Sequence, residues 1–195
     1  MSSNITMAKF TRGICVLLCL SWTNNASAQR RLGPIALVPN KAIAVAKINW
    51  IVVRHDDYFH AMLNTEDLER ALSQLDISGD QIAELVAFSG INSSRTGLVG
   101  GVVSGSFNAS SVNARLQSGD YTSYSYKNQR VYTNPRTGDY FVLLRSRRLA
   151  FGSQKAVEGV VDVQTDPRLS ITREPPFNSL LNIFITTPRP ITPLI

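Results

Sequence analysis

The densest grouping of side chains that could bind a metal or transfer a proton is the segment HDDYFH at residues 55–60. On a helix, Asp56 and His60 are four residues apart and share a face, whereas His55 and His60 point in different directions. Asp56 and His60 could hold a metal that assists hydrolysis, but a zinc site needs three or four ligands. The simpler interpretation makes His55 a partly buried core histidine and leaves Asp56 and His60 as a solvated ion pair.

The glycine-rich segment at residues 97–105 (GLVGGVVSG) does not match the motifs that bind phosphate. It lacks the Gly-Lys-Ser/Thr ending of a P-loop and the Gly-x-Gly-x-x-Gly pattern of a dinucleotide site. A strand that passes closely beneath a helix explains these glycines better. The chain also lacks the Gly-x-Ser-x-Gly and His-Glu-x-x-His motifs. The sequence therefore favours a protein that is not an enzyme and uses no cofactor.

The clearest binding signal is an excess of basic residues between positions 115 and 155, where eight lysines and arginines stand against two aspartates. Arginine forks match carboxylates and phosphates, and tyrosine rings can stack on sugars or bases. The candidate binding residues are Arg130, Arg136, Arg145, Arg147, Arg148, Tyr132 and Tyr140. They predict an anionic partner, such as a lipid headgroup, an acidic polysaccharide or an acidic envelope protein. The alternative is a solvated hairpin tip that discourages edge-to-edge aggregation.

The N-terminus has the layout of a secretory signal peptide at residues 1–28. Lys9 and Arg12 form a basic start, residues 13–22 are apolar, and an Ala-Ser-Ala motif ends at Ala28. The apolar run is too short to span a bilayer, and no later run approaches the length of a membrane helix. We therefore expect cleavage near Ala28 and a periplasmic or extracellular protein. Its mature chain would have no transmembrane segment, and genomic nucleic acid would not be its partner.

Both cysteines, Cys15 and Cys19, lie inside this predicted signal. The mature chain would then contain no disulfide and no thiolate chemistry. Leu18 precedes Cys19, which does not fit the small residue that lipoprotein processing requires. Loss of the two basic residues of the signal lowers the net charge from +6 to +4.

Hydrophobic periodicity predicts the elements that must position these side chains. A strand at residues 42–48 is followed by a helix from Asn49 and by a second helix with one apolar stripe. The members of that stripe are Leu68, Ala71, Leu72 and Leu75. Residues 82–89 and 98–107 then predict an antiparallel strand pair, and Asn108 is placed to cap a short helix.

Turn residues divide the C-terminal half into further strands and helices. Asn134 to Gly138 form a strong turn signal. The predicted elements around it are a strand at residues 124–132 with a kink at Lys127-Asn128, a hairpin of residues 140–144 and 149–151, a helix capped by Ser153, and a last helix opened by Pro175-Pro176.

The early order of strand, helix pair, strand, strand, helix and strand matches the split βαβ arrangement of ferredoxin-like sandwiches. We expect an α+β fold in which an antiparallel sheet carries helices on one face, extended by a C-terminal hairpin and helices. The predicted organisation is a signal at residues 1–28, a leader at 29–40, one domain at 41–186, and a proline-rich tail or truncation point at 187–195.

Several different short patterns follow one another through the predicted domain. They are Leu37–Pro39, Trp50, residues 97–107, Arg130–Tyr132, Leu149–Ser153 and Ala156–Val157. Their succession resembles uncharacterised exported α+β domains of environmental bacteria over most of residues 36–184. The resemblance implies an α+β fold and export; because such proteins often carry two copies of the unit, it would also fit a chain truncated at Ile195. It implies no activity and assigns no functional residue.

The sequence favours a non-enzymatic binding or interaction module in an exported protein. Two other hypotheses stay open. One is a metal-assisted hydrolase that uses Asp56 and His60, and the other is a structural domain for envelope assembly.

Overall fold

The computed structural model describes residues 33–56, 65–90, 97–145 and 147–173, with the backbone alone at residues 65–67. The strands in these ranges are β1 (Ala44–Asn49), β2 (Ile82–Ser89), β3 (Val99–Gly105), β4 (Thr122–Tyr126), β5 (Gln129–Thr133), β6 (Tyr140–Leu144) and β7 (Arg148–Gly152). The α-helices are α1 (Trp50–Arg54), α2 (Thr65–Ser73), α3 (Ala109–Leu116) and α4 (Gln154–Thr165). Short 3-10 helices span Pro34–Leu37, Gly79–Gln81, Pro167–Leu169 and Ile171–Arg173.

The described strands form one seven-stranded sheet in the order β1-β2-β3-β7-β6-β5-β4. All neighbouring pairs are antiparallel. Strands β1 and β4 form the two edges, and the pairing of β3 with β7 joins the N-terminal strands to the C-terminal ones. The predicted mixed α+β class with an antiparallel sheet is therefore confirmed.

Helices cover both faces of the sheet. Successive side chains of a strand point to opposite faces, and Leu85 and Val86 of β2 lie in two different apolar clusters. Leu85 packs in a cluster that includes residues of α2 and α3. Val86 packs in a cluster that includes residues of α4. We call the Leu85 side the front face and the Val86 side the back face.

The expectation that helices lie on one face is therefore wrong, and the ferredoxin-like arrangement is not confirmed. The physical reason lies in the central strands, which are apolar at consecutive positions rather than at alternate ones. Buried neighbours occur at Leu85–Val86 in β2, at Val102–Val103 in β3 and at Leu149–Ala150 in β7. A strand that is apolar on both sides requires a helical layer on each side.

Residues that the sequence assigned to a leader also belong to this packing. Ile35, Leu37 and Val38 are buried in the back-face cluster. The backbone of Val38 accepts a hydrogen bond from the N–H of Ile171 over 2.9 Å. The packed structure thus begins before residue 41, because this segment covers the part of the back face beside α4.

The glycines of β3 allow the close approach of α4 that the sequence suggested. A Cβ at Gly100 would lie 2.7 Å from the Cβ of Ala156 in the first turn of that helix. Opposite it, Gly152 of β7 adopts a φ of +132°, and a Cβ there would collide with the backbone of β3. The interpretation of the glycine-rich segment as a strand beneath a helix is confirmed.

The predicted helix caps are confirmed. The Oδ1 of Asn108 accepts a hydrogen bond from the N–H of Ser110 over 2.9 Å at the start of α3. The Oγ of Ser153 accepts hydrogen bonds from the N–H of Ala156 and from that of Val99, each over 3.3 Å. Ser153 is therefore the N-cap of α4 and also holds the start of β3. This residue links the helix to the centre of the sheet.

The predicted strand at residues 124–132 is wrong, because Lys127 and Asn128 form a hairpin turn between β4 and β5. Both residues have positive φ, at 46° and 63°. A two-residue turn with positive φ at both positions is the type I′ turn, whose twist matches that of the flanking strands. The polar residues at this point therefore reverse the chain instead of bending it.

Other predicted features cannot be placed. The helix opened by Pro175-Pro176, the tail and the signal lie outside the described residues. Within the described ranges, no helix is long and apolar enough to cross a membrane.

Candidate binding surface

Three of the predicted binding arginines lie together at the turn between β6 and β7. Leu144 pairs with Arg148 at the ends of these strands, and Arg145 and Arg147 lie in the turn between them. The side chains of Arg145 and Arg147 are exposed, and Arg148 is half-exposed. The predicted tight hairpin of residues 140–144 and 149–151 is thus confirmed, and it brings these three guanidinium groups to one end of the sheet.

Arg130 joins them from the neighbouring strand. Val131 of β5 pairs with Val142 of β6, and this antiparallel register places Arg130 beside Leu143, close to the same end of the sheet. Its side chain is exposed. We call Arg130, Arg145, Arg147 and Arg148 the arginine tip.

Arg136 lies elsewhere. It belongs to the turn between β5 and β6, where its N–H donates to the Oδ1 of Asn134 over 3.0 Å. The five residues of β6 separate this turn from the arginine tip, which corresponds to about 17 Å. The structure therefore does not bring Arg136 together with the other predicted arginines. In antiparallel strands, the β5–β6 turn and the β6–β7 turn lie at opposite ends of the sheet.

Tyr132 is buried in the front-face cluster, with 3% of its surface exposed. Its hydroxyl donates to the Oδ1 of Asn113 over 3.2 Å and accepts from the Nε2 of Gln117 over 3.4 Å. Both partners lie on or just after α3. The side chain therefore joins that helix to β5 and presents no ring for stacking, so we leave it out of the proposed surface.

Replacement of Tyr132 by phenylalanine is expected to cost about 1 kcal/mol of stability, because Asn113 and Gln117 lose a hydrogen-bond partner. Binding of long-chain polyphosphate is expected to stay unchanged. Urea unfolding and a binding titration of the same variant measure both quantities. A weaker affinity at unchanged stability would instead return Tyr132 to the binding surface.

The tyrosines on the back face hold α4 rather than a ligand. The Tyr124 hydroxyl donates to the Oε1 of Glu158 over 2.8 Å, and the Tyr126 hydroxyl donates to the Oδ1 of Asp162 over 3.0 Å. Burial, with a smaller contribution from the Glu158 hydrogen bond, raises the pKa of Tyr124 above its usual value. Tyr140 is half-buried, and its ring meets that of Tyr124 edge-on with centroids 6.4 Å apart.

Sequence reasoning missed these tyrosine–carboxylate pairs, although their spacing contains a signal. Two residues along a strand advance about 7 Å, and four residues along a helix advance about 6 Å. Tyr124 and Tyr126 can therefore meet Glu158 and Asp162 in register once the strand and the helix lie side by side. This spacing predicts the pairs only when β4 and α4 are already known to pack together.

Within the described ranges, the electrostatic surroundings of the arginine tip differ from those of several other surface cations. Arg115 Nη1 lies 3.4 Å from Asp120 Oδ2, and Arg168 Nε lies 2.9 Å from Asp166 Oδ1. Lys127 Nζ lies 2.6 Å from the Oδ1 of Asp162. Within the described ranges, no carboxylate or other acceptor holds the guanidinium groups of the four arginines of the tip.

Arg147 also has an unusual backbone conformation. Its φ is +54°, in the left-handed region that costs about 1 kcal/mol or more for a residue with a Cβ. Glycine and asparagine are the residues that such turns favour. The tip thus carries an arginine at a position where the backbone alone favours glycine.

The histidine and aspartate cluster is only partly described. His55 ends α1 as an exposed residue, and the Nη2 of Arg54 lies 3.4 Å from its Nε2. The interpretation of His55 as a core histidine is therefore wrong, because α1 ends at Arg54 and its buried residues are Trp50 and Val53. Asp56 is half-buried, and His60 lies outside the described residues. In the described part of the chain, no three metal-binding side chains come together.

Comparison with known proteins identifies no relative. No protein-family model matches the chain, and neither the curated proteins nor the solved structures contain a match.

Proposed function

We propose that this chain is a non-enzymatic binding module of an exported protein, and that the arginine tip binds an anionic partner. The observation that carries the proposal is the grouping at one end of the sheet of four arginines that have no carboxylate partner in the described ranges. Arg115 and Arg168, by contrast, are paired with aspartates. Guanidinium groups without an internal partner retain their donors for an external carboxylate, sulfate or phosphate.

The position of the tip in the sheet supports the proposal against the aggregation-blocking alternative. Charged residues that prevent edge-to-edge pairing belong on edge strands. Strands β6 and β7 are internal, and β1 and β4 form the edges. The tip arginines therefore protect no free edge, and their grouping at one end of internal strands is better explained by a ligand.

The compartment is part of the proposal. The signal-like pattern at residues 1–28 supports export to the periplasm or beyond the cell. The anions of that environment include acidic polysaccharides, lipid headgroups and acidic envelope proteins, whereas genomic nucleic acid is confined to the cytoplasm.

The variant Arg147→Gly tests the proposal because it separates stability from binding. Glycine relieves the cost of the positive φ, so the free energy of unfolding is expected to stay level or rise by about 1 kcal/mol. Loss of one cation near a strongly anionic ligand is expected to weaken binding by about fivefold, the equivalent of about 1 kcal/mol. Urea unfolding and calorimetric titration with long-chain polyphosphate measure the two effects.

Asn128→Gly is the matched control. Asn128 also has a positive φ, at 63°, but it carries no charge. Its replacement is expected to leave polyphosphate binding unchanged. If Arg147→Gly bound polyphosphate as tightly as the parent protein, Arg147 would be a turn residue only and would leave the proposed surface.

A further inference from the structure

We infer that the arginine tip binds an extended, flexible polyanion that crosses the end of the sheet from one face to the other. The inference rests on the proposed function and names the class of its ligand. It follows from the strands that supply the arginines and from the faces to which these residues belong.

The tip arginines do not converge on one point. Arg130 is two residues before Tyr132, which lies on the front face. Arg148 is two residues before Ala150, which lies on the back face. Because side chains two residues apart along a strand share a face, Arg130 belongs to the front face and Arg148 to the back face.

Arg130 and Arg148 are separated by a strand as well as by the sheet itself. Their strands, β5 and β7, flank β6 in the sheet. Neighbouring strands lie about 4.8 Å apart, so the two backbones are about 10 Å apart and their side chains diverge from there. Because the side chains leave from opposite faces, we expect a single phosphate or carboxylate to contact only one of these two arginines, whereas a chain of anionic groups can pass from Arg130 over Arg145 and Arg147 to Arg148.

Other anionic surfaces fit this arrangement less well. A flat membrane touches cations that lie in one plane, and the turn sequence at residues 145–148 (RSRR) has no apolar side chain to enter a bilayer. A rigid acidic protein would need a cleft that straddles the end of the sheet. A flexible polyanion needs only repeated charges, which matches cations that are spread over two faces.

The experiment compares phosphate chains of increasing length on the purified protein. Orthophosphate, tripolyphosphate and long-chain polyphosphate are titrated at low salt, with affinity expressed per phosphate group. The affinity per phosphate is expected to rise at least tenfold from tripolyphosphate to the long chain. Arg130→Gln is expected to weaken binding of the long chain by about fivefold and to leave tripolyphosphate binding unchanged, because a short anion held at the turn does not reach Arg130.

Arg136→Gln is the control, because it removes the same charge at the opposite end of β6. Equal affinity per phosphate for short and long chains would overturn the extended-ligand inference and leave the proposed function standing. So would an Arg130→Gln protein that binds the long chain like the parent. Binding to vesicles that contain anionic lipid but not to polyphosphate would also overturn the inference. Binding to none of these probes would contradict the proposed function itself.

Discussion

Replacement of Arg145, Arg147 and Arg148 by glutamine is expected to weaken binding of long-chain polyphosphate by about 150-fold at low salt. Each arginine near a strongly anionic surface contributes about 1 kcal/mol, and a loss of about 3 kcal/mol corresponds to that factor. Folding is expected to be unaffected, because these side chains make no hydrogen bond or ion pair within the described ranges. Calorimetric titration at several salt concentrations measures the effect.

The salt dependence provides a second, independent readout. Each contact between an arginine and an anionic group releases about one counterion, so log affinity falls linearly with log salt concentration. The triple variant is expected to reduce this slope by about 2 to 3. An unchanged slope would mean that the three arginines make no contact with the polyanion, whatever the change in affinity.

A second triple variant controls for net charge. Lys41, Arg136 and Lys155 lie at the opposite end of the sheet, before β1, between β5 and β6, and in the first turn of α4. Replacement of these three by glutamine lowers the net charge by the same amount. At about 0.15 M salt it is expected to weaken binding by less than about fivefold, because the screening length of about 8 Å is then shorter than the length of β6. Equal losses in the two triple variants would show that total charge, rather than the arginine tip, determines binding.

Gly152→Ala is expected to have the largest effect on stability, with a loss of roughly 2 to 6 kcal/mol. The φ of +132° is strained for any residue with a Cβ, which costs about 1 to 3 kcal/mol. The new methyl group would also collide with the carbonyl oxygen of Val99 and the Cα of Gly100. Overpacking of this kind adds about 1 to 3 kcal/mol, and the backbone atoms of β3 cannot move without disturbing the contact of Gly100 with α4.

Gly138→Ala separates the two contributions. Gly138 has a φ of +75°, and a Cβ there would meet nothing within 4 Å. This variant is expected to lose only about 1 to 2 kcal/mol, which is the cost of a left-handed conformation alone. Urea unfolding of both variants measures the difference. If Gly152→Ala lost no more than Gly138→Ala, the contact between β7 and β3 would be looser than the structure indicates.

The elements that depend on neighbours in sequence were predictable. The bounds of β2 at residues 82–89 followed from a mostly apolar segment that Glu84 interrupts, and the caps Asn108 and Ser153 from side chains that bond their own helix. The type I′ turn at Lys127-Asn128 was missed because lysine is an uncommon residue at positive φ, so the segment resembled a bent strand.

Features that depend on distant parts of the chain could not be predicted in the same way. The arginines near one another in sequence formed a single predicted group, but the hairpins send Arg136 to one end of the sheet and Arg145 to the other. The burial of Tyr132 depends on α3, which reaches it through Asn113, nineteen residues away in sequence. The second helical layer was implied by consecutive apolar residues in the central strands. Such residues point to opposite faces of the sheet, so the pattern is recognised only when the residues of each face are considered separately.

The pairing of β3 with β7 has a consequence for the order in which the chain folds. Strands β4 to β7 follow one another through short turns, so their contacts are local and close at little entropic cost. Strand β7 meets β3 only after the whole segment from Gly105 to Arg148 has been brought back on itself. Non-local closures of this kind slow folding. The meander that carries the arginine tip is therefore expected to form early, and its docking onto β3 completes the sheet.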